Sequence, residues 1–403
     1  MFGKSLPLSG SANNTIKRTR SEDPSTDSVK TDSPPPEPEP GTEEYMEVIE
    51  HLVGYAVEKG ASDIHLRVGC YPVIRVDGDL APVEAFSTVT GVDMDALIDT
   101  VLNPRERERL EHGRQVDTSV GIAAVGRIRI NVFYQRGTPA MAIRVIKTEI
   151  PTLEELGLPE VAYKMARLRS GLVLVIGATG AGKSTTLAAL VNEINKRYPK
   201  HIITIEDPIE FLFRDKRSII SQREIGIDAS SFSDAMAAAL REDPDVILLS
   251  DMRDTASMEF AMNAAETGHL VFGTLHSPTA PDTITRIVSS FPSEAQNTIR
   301  TKLSRNLKAV IGQRLLPARD RKGRVLAYEI MVLSPRIQEL VQDPARLSDI
   351  QELINNANAI DGVTSFDRQI YELYEQGRIT SDTAVRYATS PNDMGLRLRG
   401  FSS

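Results

Sequence analysis

One stretch, Gly177-Ala178-Thr179-Gly180-Ala181-Gly182-Lys183-Ser184, limits what this chain can fold into more than any other part of it. Its glycines tolerate the positive φ values that turn successive backbone N–H groups to one side of a loop, making a concave nest for an anion. The apolar run Leu172-Val173-Leu174-Val175-Ile176 before it reads as a buried strand, and the residues after it, through about Lys196, read as a helix. Strand, glycine turn and helix in that order aim the positive end of the helix dipole at the same anion. The spacing G-x-x-x-x-G-K-[ST] suits a nucleoside triphosphate. The backbone of Gly177, Ala178, Thr179, Gly180, Ala181 and Gly182 is expected to cradle the phosphates, with Lys183 reaching the β- and γ-phosphates. The Ser184 hydroxyl is placed to ligate Mg²⁺, and Thr185 supports the helix start. ATP and Mg²⁺ are the expected cofactors.

From Gly171 onward, apolar strands alternate with helical stretches, the pattern of a parallel sheet covered by helices. His201 to Glu206, Val246 to Leu249 and Leu270 to Thr274 read as further strands, and Ser231 with Asp234 as a capping box. Ligands of open α/β sheets lie beyond the carboxyl ends of strands. Glu206 and Asp251 end two of these strands and are the candidates for holding Mg²⁺ and orienting the attacking water. Asp243 and Asp245 precede their strand and are expected at its far end, as loop and cap residues. His269 and His276 bracket the strand at Leu270 to Thr274. His276 follows that strand and is the better candidate for sensing phosphate, while His269 is assigned a site-organising role. A structural role is the ordinary alternative for each.

Before the core, Met46, Ile49, Leu52, Val53, Ala56 and Val57 recur at helical spacing up to Gly60. Asp63 to Val68 and Tyr71 to Val76 read as strands, with a turn after them at Asp77-Gly78, and Asp93 to Leu102 reads as a helix. Gly126 to Tyr134 alternates Arg with Ile, a half-buried strand, with Met141 to Ile146 as its neighbour. Residues 1–44 hold Ser33-Pro34-Pro35-Pro36-Glu37-Pro38-Glu39-Pro40 and too little apolar surface to offset ordering entropy, so a disordered tail is expected there. The division is therefore 1–44 tail, 45–148 N-terminal α+β domain, 149–285 ATPase core, and 286–403 a mostly helical region with a strand at Val325 to Val332 and N-caps at Ser365 and Ser381.

A net charge of -8 argues against a nucleic-acid-coating protein, so no nucleic acid is expected as partner. The single cysteine, Cys70, excludes an intrachain disulfide and a cysteine zinc site. No apolar run approaches the roughly 20 residues a membrane-crossing helix needs, so no direct membrane insertion and a cytoplasmic location are expected.

In order and spacing, GATGAGKST, TIEDPIEF, LREDPDVILLSDMRD and AAETGHLVFGTLH resemble the secretion and type IV pilus motor ATPase family, as do EKGASDIHL and GRIRIN further upstream. The resemblance covers about 45–390. It implies a RecA-like P-loop ATPase domain behind a PAS-like N-terminal domain. It further implies a homo-hexamer peripheral to the inner membrane through a pilus platform protein. The absence of a four-cysteine motif and of a further domain before residue 45 makes the chain similar to the shorter, PilT/PilU-like retraction ATPases of twitching motility. Arginines donated to a neighbouring subunit's nucleotide lie on the family's N-terminal domain, and Arg129 and Arg144 are the candidates, with Arg127 behind them. Strand-surface ion pairing is the alternative for these arginines, and Arg241 and Arg253 are read as structural ion-pair partners.

Two departures stand out. Ser250-Asp251 replaces the family's Gly-Glu, and Ser334-Pro335-Arg336-Ile337-Gln338-Glu339-Leu340 matches the AIRNLIRE motif poorly. They point to an accessory or divergent paralogue with slow hydrolysis. Rival readings are a low-activity scaffold docked on a paralogous pilus ATPase, a type II/IV secretion ATPase, and a nucleic-acid motor.

Overall fold

The computed structural model describes residues 42–76, 78–122, 125–146, 149–320, 323–356 and 362–400. Residues 1–41 of the expected tail, and Asp77 of the expected turn, lie outside them. The described residues form one compact unit.

The N-terminal sheet contains β1 (Ala61–Arg67), β2 (Val73–Val76), β3 (Asp79–Pro82), β4 (Gln115–Ile122), β5 (Gly126–Gln135) and β6 (Thr138–Ile146). All neighbours are antiparallel, in the order β3-β2-β1-β6-β5-β4. Alternation along β5 buries Ile128, Ile130 and Val132 on one face and leaves Arg127 and Arg129 on the other. The apolar face is covered by the helices Thr42–Glu58 and Gly91–Val101, through Ile49, Leu52, Val53, Met94 and Ile98. On the polar face, register aligns Ser119, Arg129, Arg144 and Asp63 in one row across four strands. A third helix, Pro104–Gly113, starts at an Asn103 cap whose side chain accepts from the Arg105 and Glu106 amides.

The second sheet has β7 (Gly171–Ile176), β8 (His201–Glu206), β9 (Ile219–Glu224), β10 (Val246–Leu249), β11 (Leu270–Leu275), β12 (Leu307–Pro317) and β13 (Arg324–Val332). Its order is β13-β12-β7-β11-β10-β8-β9, parallel throughout except for the antiparallel β12–β13 pair. Central strands with both faces covered are apolar without alternation, and every residue of β7, β10 and β11 is buried. Helices such as Thr255–Glu266 and Ala280–Ser289 pack on one face, and Glu160–Ala166 and Lys183–Arg197 on the other.

The structure departs from the sequence-based expectation in several details: the first helix begins at Thr42, inside the expected tail, and β3 and β4 form where no strand is expected. β9 and β12 extend the sheet at stretches given no strand, and β12 falls within the segment read as mostly helical. Thr380, not Ser381, caps its helix, because the Thr380 side chain accepts from Thr383 N–H.

Candidate nucleotide-binding site

The strands β7, β11, β10 and β8 lie side by side and parallel, so their carboxyl ends share one edge. That edge receives the glycine loop after β7, Glu206 at the end of β8, Asp251 after β10 and His276 after β11.

Gly177, Gly180 and Gly182 have φ of 143°, 78° and 87°, in the region side chains disfavour. At Gly177 a Cβ would also stand 2.6 Å from the Gln313 carbonyl oxygen. Gly182 is the N-cap of the helix Lys183–Arg197 and makes no side-chain cap, which leaves the first helical N–H groups to an anion. The Lys183 ammonium donates to the Gly177 and Ala178 carbonyls at 3.0 and 3.1 Å, so the lysine lies folded over the loop. Burial lowers its pKa, and the Asp251 and Glu210 carboxylates oppose that shift.

Glu206 is buried, accepting from the Thr204 hydroxyl at 2.7 Å and the Gln222 amide at 3.1 Å. Burial pushes its carboxyl up to about 7 against those hydrogen bonds. Glu210, in the same acidic box but not singled out from the sequence, accepts the Ser184 hydroxyl at 2.8 Å. Both glutamates line one pocket with Ser184, Leu187, Phe211 and Ser250. Asp251 Oδ2 accepts from Arg253 at 2.6 Å and lies 3.6 Å from His276 Nε2. Its Oδ1 is buried with no hydrogen-bond partner among the described residues. The pairing of Arg253 with Asp251 is the structural role expected for that arginine.

Among the described residues no group of three or more His, Cys, Asp or Glu is arranged to hold a metal alone. Mg²⁺ at nucleotide sites takes only one or two carboxylates beside phosphate oxygens and water. The donors here suit that mode: the Ser184 hydroxyl, the Glu210 carboxylate against it, and the unpartnered Asp251 oxygen.

The remaining residues are placed differently. His269 sits at the start of β11, its Nδ1 3.0 Å from the Ala264 carbonyl, so the length of a strand separates it from the glycine loop of its own chain. Within the chain it is not brought to the site. Asp245 lies at the far end of β10, accepting from Lys200 at 2.6 Å and from His201 N–H at 3.0 Å. Arg129 pairs with Asp117 at 3.2 Å, and Arg144, whose side chain is 68% exposed, pairs with Asp63 at 2.8 Å. Neither contacts the glycine loop of its own chain. One contact gave no sequence signal: buried Gln313 on β12 donates to Thr186 Oγ1 at 2.6 Å and props the loop's helix from 127 positions away.

The family described as Type II/IV secretion system protein matches residues 39–378. The chain belongs to that family. It is 38% identical to the type IV pilus ATPase PilU of Pseudomonas aeruginosa, over 87% of this chain and 91% of that one. It is 39% identical to the retraction ATPase PilT of the same organism, over 86% of this chain and 99% of that one. A crystal structure of the pilus retraction motor PilT with bound ADP superposes with a TM-score of 0.80, at 45% identity over 85% of this chain and 98% of that one. The Legionella pneumophila ATPase DotB superposes with a TM-score of 0.71, at 26% identity over 84% and 94%. Such kinship makes the seven-stranded sheet a RecA-like ATPase domain and the chain a homologue of the twitching-motility retraction ATPases.

Proposed function

We propose that this protein is a ring-forming motor that hydrolyses ATP to ADP and phosphate and powers type IV pilus retraction, the movement behind twitching motility. The observation that carries the reading is the meeting of the glycine loop, Glu206, Glu210, Asp251 and His276 along one sheet edge. Similarity to PilT and PilU over nearly their full lengths supports the choice of cargo.

In this reading the loop amides and Lys183 bind the phosphates, and the lysine exchanges its loop carbonyls for phosphate oxygens. Ser184, Glu210 and Asp251 would hold Mg²⁺, which when bound supplies positive charge beside the transferring phosphoryl group. Glu206, the more buried carboxylate, accepts the proton of the attacking water. His276 stands beside Asp251 and registers the γ-phosphate through it. Arg144, exposed on the N-terminal sheet, completes the site of the next subunit in a homo-hexamer. His269 would have to act across that boundary as well. An inner-membrane platform protein receives the stroke, and the ring meets the membrane only through it. None of the described helices is long and apolar enough to cross a bilayer.

A second reading rests on Asp251. Its carboxylate is one methylene shorter than the family's Glu and is already held by Arg253. Misplacement of about 1 Å can cost about 10²-fold in rate, which favours a slow accessory subunit working beside a faster paralogue. The two readings separate in a strain lacking this chain. The motor reading expects lost pilus retraction, restored by the wild-type chain and not by Lys183→Ala. Restoration by Lys183→Ala would favour the accessory role.

A further inference from the structure

Glu224 ends β9 at the edge of the ATPase sheet and is only 3% exposed. A carboxylate buried so far needs partners. Its Oε2 accepts from the Ile209 amide at 3.4 Å, and Ile209 lies in the loop between Glu206 and Glu210. Its Oε1 accepts from the Ser119 hydroxyl at 3.5 Å, and Ser119 lies on β4 of the N-terminal sheet. Burial pushes the carboxyl up, while the Ile209 amide and the positive charges of Arg127 and Arg129 pull it back. Arg127 Nε is itself buried at a position without a hydrogen-bond partner among the described residues. One side chain thus touches both the acidic loop of the nucleotide site and the charged face of the N-terminal domain.

We propose that Glu224 is a positioning residue that couples the N-terminal domain to the acidic loop within one subunit. The contacts favour this over a fixed strut. Both hydrogen bonds are longer than the usual 2.7–3.2 Å or so, hence weaker than well-formed ones, and the nearby positive charges of Arg127 and Arg129 still face the carboxylate when one lengthens further. Ser119 also shares its sheet row with Arg129 and Arg144. A tilt of that sheet toward a neighbouring subunit therefore carries Arg144 outward and draws Ser119 and Arg129 off Glu224 in the same motion. The carboxylate then releases or re-aims Ile209, and with it the spacing of Glu206 and Glu210. Arginine delivery to one site and loop geometry in the other are linked by a single side chain. This inference rests on the ring-motor reading of the site.

The test uses the full-length protein, its Glu224→Ala and Glu224→Gln variants, and three readouts: turnover, ADP affinity, and hydrogen–deuterium exchange with and without a non-hydrolysable ATP analogue. In the wild type the analogue should alter exchange in both 205–213 and 115–132. Glu224→Ala should bind ADP within about twofold of wild type yet lose about 10- to 100-fold in kcat, the cost of a misplaced catalytic group. Its exchange response should survive at the glycine loop and vanish from 115–132. Glu224→Gln keeps an acceptor for Ile209 but loses the charge facing Arg127 and Arg129. It should keep wild-type protection in 205–213 and still lose the response in 115–132. The proposal is overturned if the wild type shows no response in 115–132, or if Glu224→Ala keeps it. It is equally overturned if Glu224→Ala loses ADP affinity and thermal stability together, as a purely structural residue would. The exchange arm needs no hydrolysis, so a wild type that binds the analogue but does not turn over would count against the motor reading alone.

Discussion

Glu206 and Glu210 sit four residues apart in one acidic box and have different surroundings. Glu206 is held by Thr204 and Gln222, whereas Glu210 receives the hydroxyl of Ser184. A base must be held near its proton and insulated from competing cations, and a metal ligand must face the phosphates. Glu206→Gln should therefore lower kcat by about 10²-fold or more with little effect on metal binding. Glu210→Gln should weaken binding of Mn²⁺, used as a spectroscopic substitute in the ADP complex, read by electron paramagnetic resonance. Unchanged turnover in Glu206→Gln, or unchanged Mn²⁺ affinity in Glu210→Gln, would refute the respective assignment. The glycine loop and the Glu206, Asp251 and His276 positions were legible in the sequence because each follows an apolar strand. Glu210 was not separable from its neighbours, since no pattern reports which carboxylate in a loop turns toward Ser184. Gln313 and Glu224 act across more than a hundred positions of chain and leave no local trace.

At the scale of elements, buried parallel strands were readable wherever an apolar run stood between breakers, as in Leu172 to Ile176. β12 was not, because LKAVIGQRLLP carries apolar residues at spacings that also suit a helix, and β7, the strand that joins it to the parallel sheet, is distant in sequence. β9, an edge strand with a polar end, lacks the apolar run altogether. The antiparallel β13 brings its own burden, a buried Glu329 that accepts from the Ala280 amide at 3.2 Å and the Gln351 side chain at 3.0 Å. Burial pushes its carboxyl above the ordinary range, with those donors and Arg314 opposing. A raised pKa in the folded state means the fold retains a proton that the unfolded chain releases. The associated stability is complete below the ordinary carboxylate range, about pH 4, and is lost as pH rises through the raised value. Glu329→Gln cannot titrate, so the Tm of the wild type should fall relative to that of the variant as pH rises above the ordinary carboxylate range. Parallel Tm profiles would contradict the assignment.

For the whole molecule, the N-terminal sheet and the ATPase sheet meet at Glu224, while Arg144 stays exposed and paired with Asp63. An arginine that serves a neighbour predicts complementation. Arg144→Ala should lose about 10³-fold or more in kcat, and Lys183→Ala should be inactive, yet mixed rings should recover part of the activity. In such rings an intact loop can meet an intact arginine. No recovery on mixing, with mixed assembly verified, would place Arg144 outside the reaction. A motor of this kind depends on the amides around Gly180 and Gly182 binding a nucleotide's phosphates. The most direct measurement is ATP hydrolysis by the purified chain beside Lys183→Ala, with oligomeric state determined on the same samples. Hydrolysis by a wild-type ring, abolished in a Lys183→Ala ring of the same size, is the predicted result. Equal turnover in the two, or no nucleotide bound by the wild type, would contradict it.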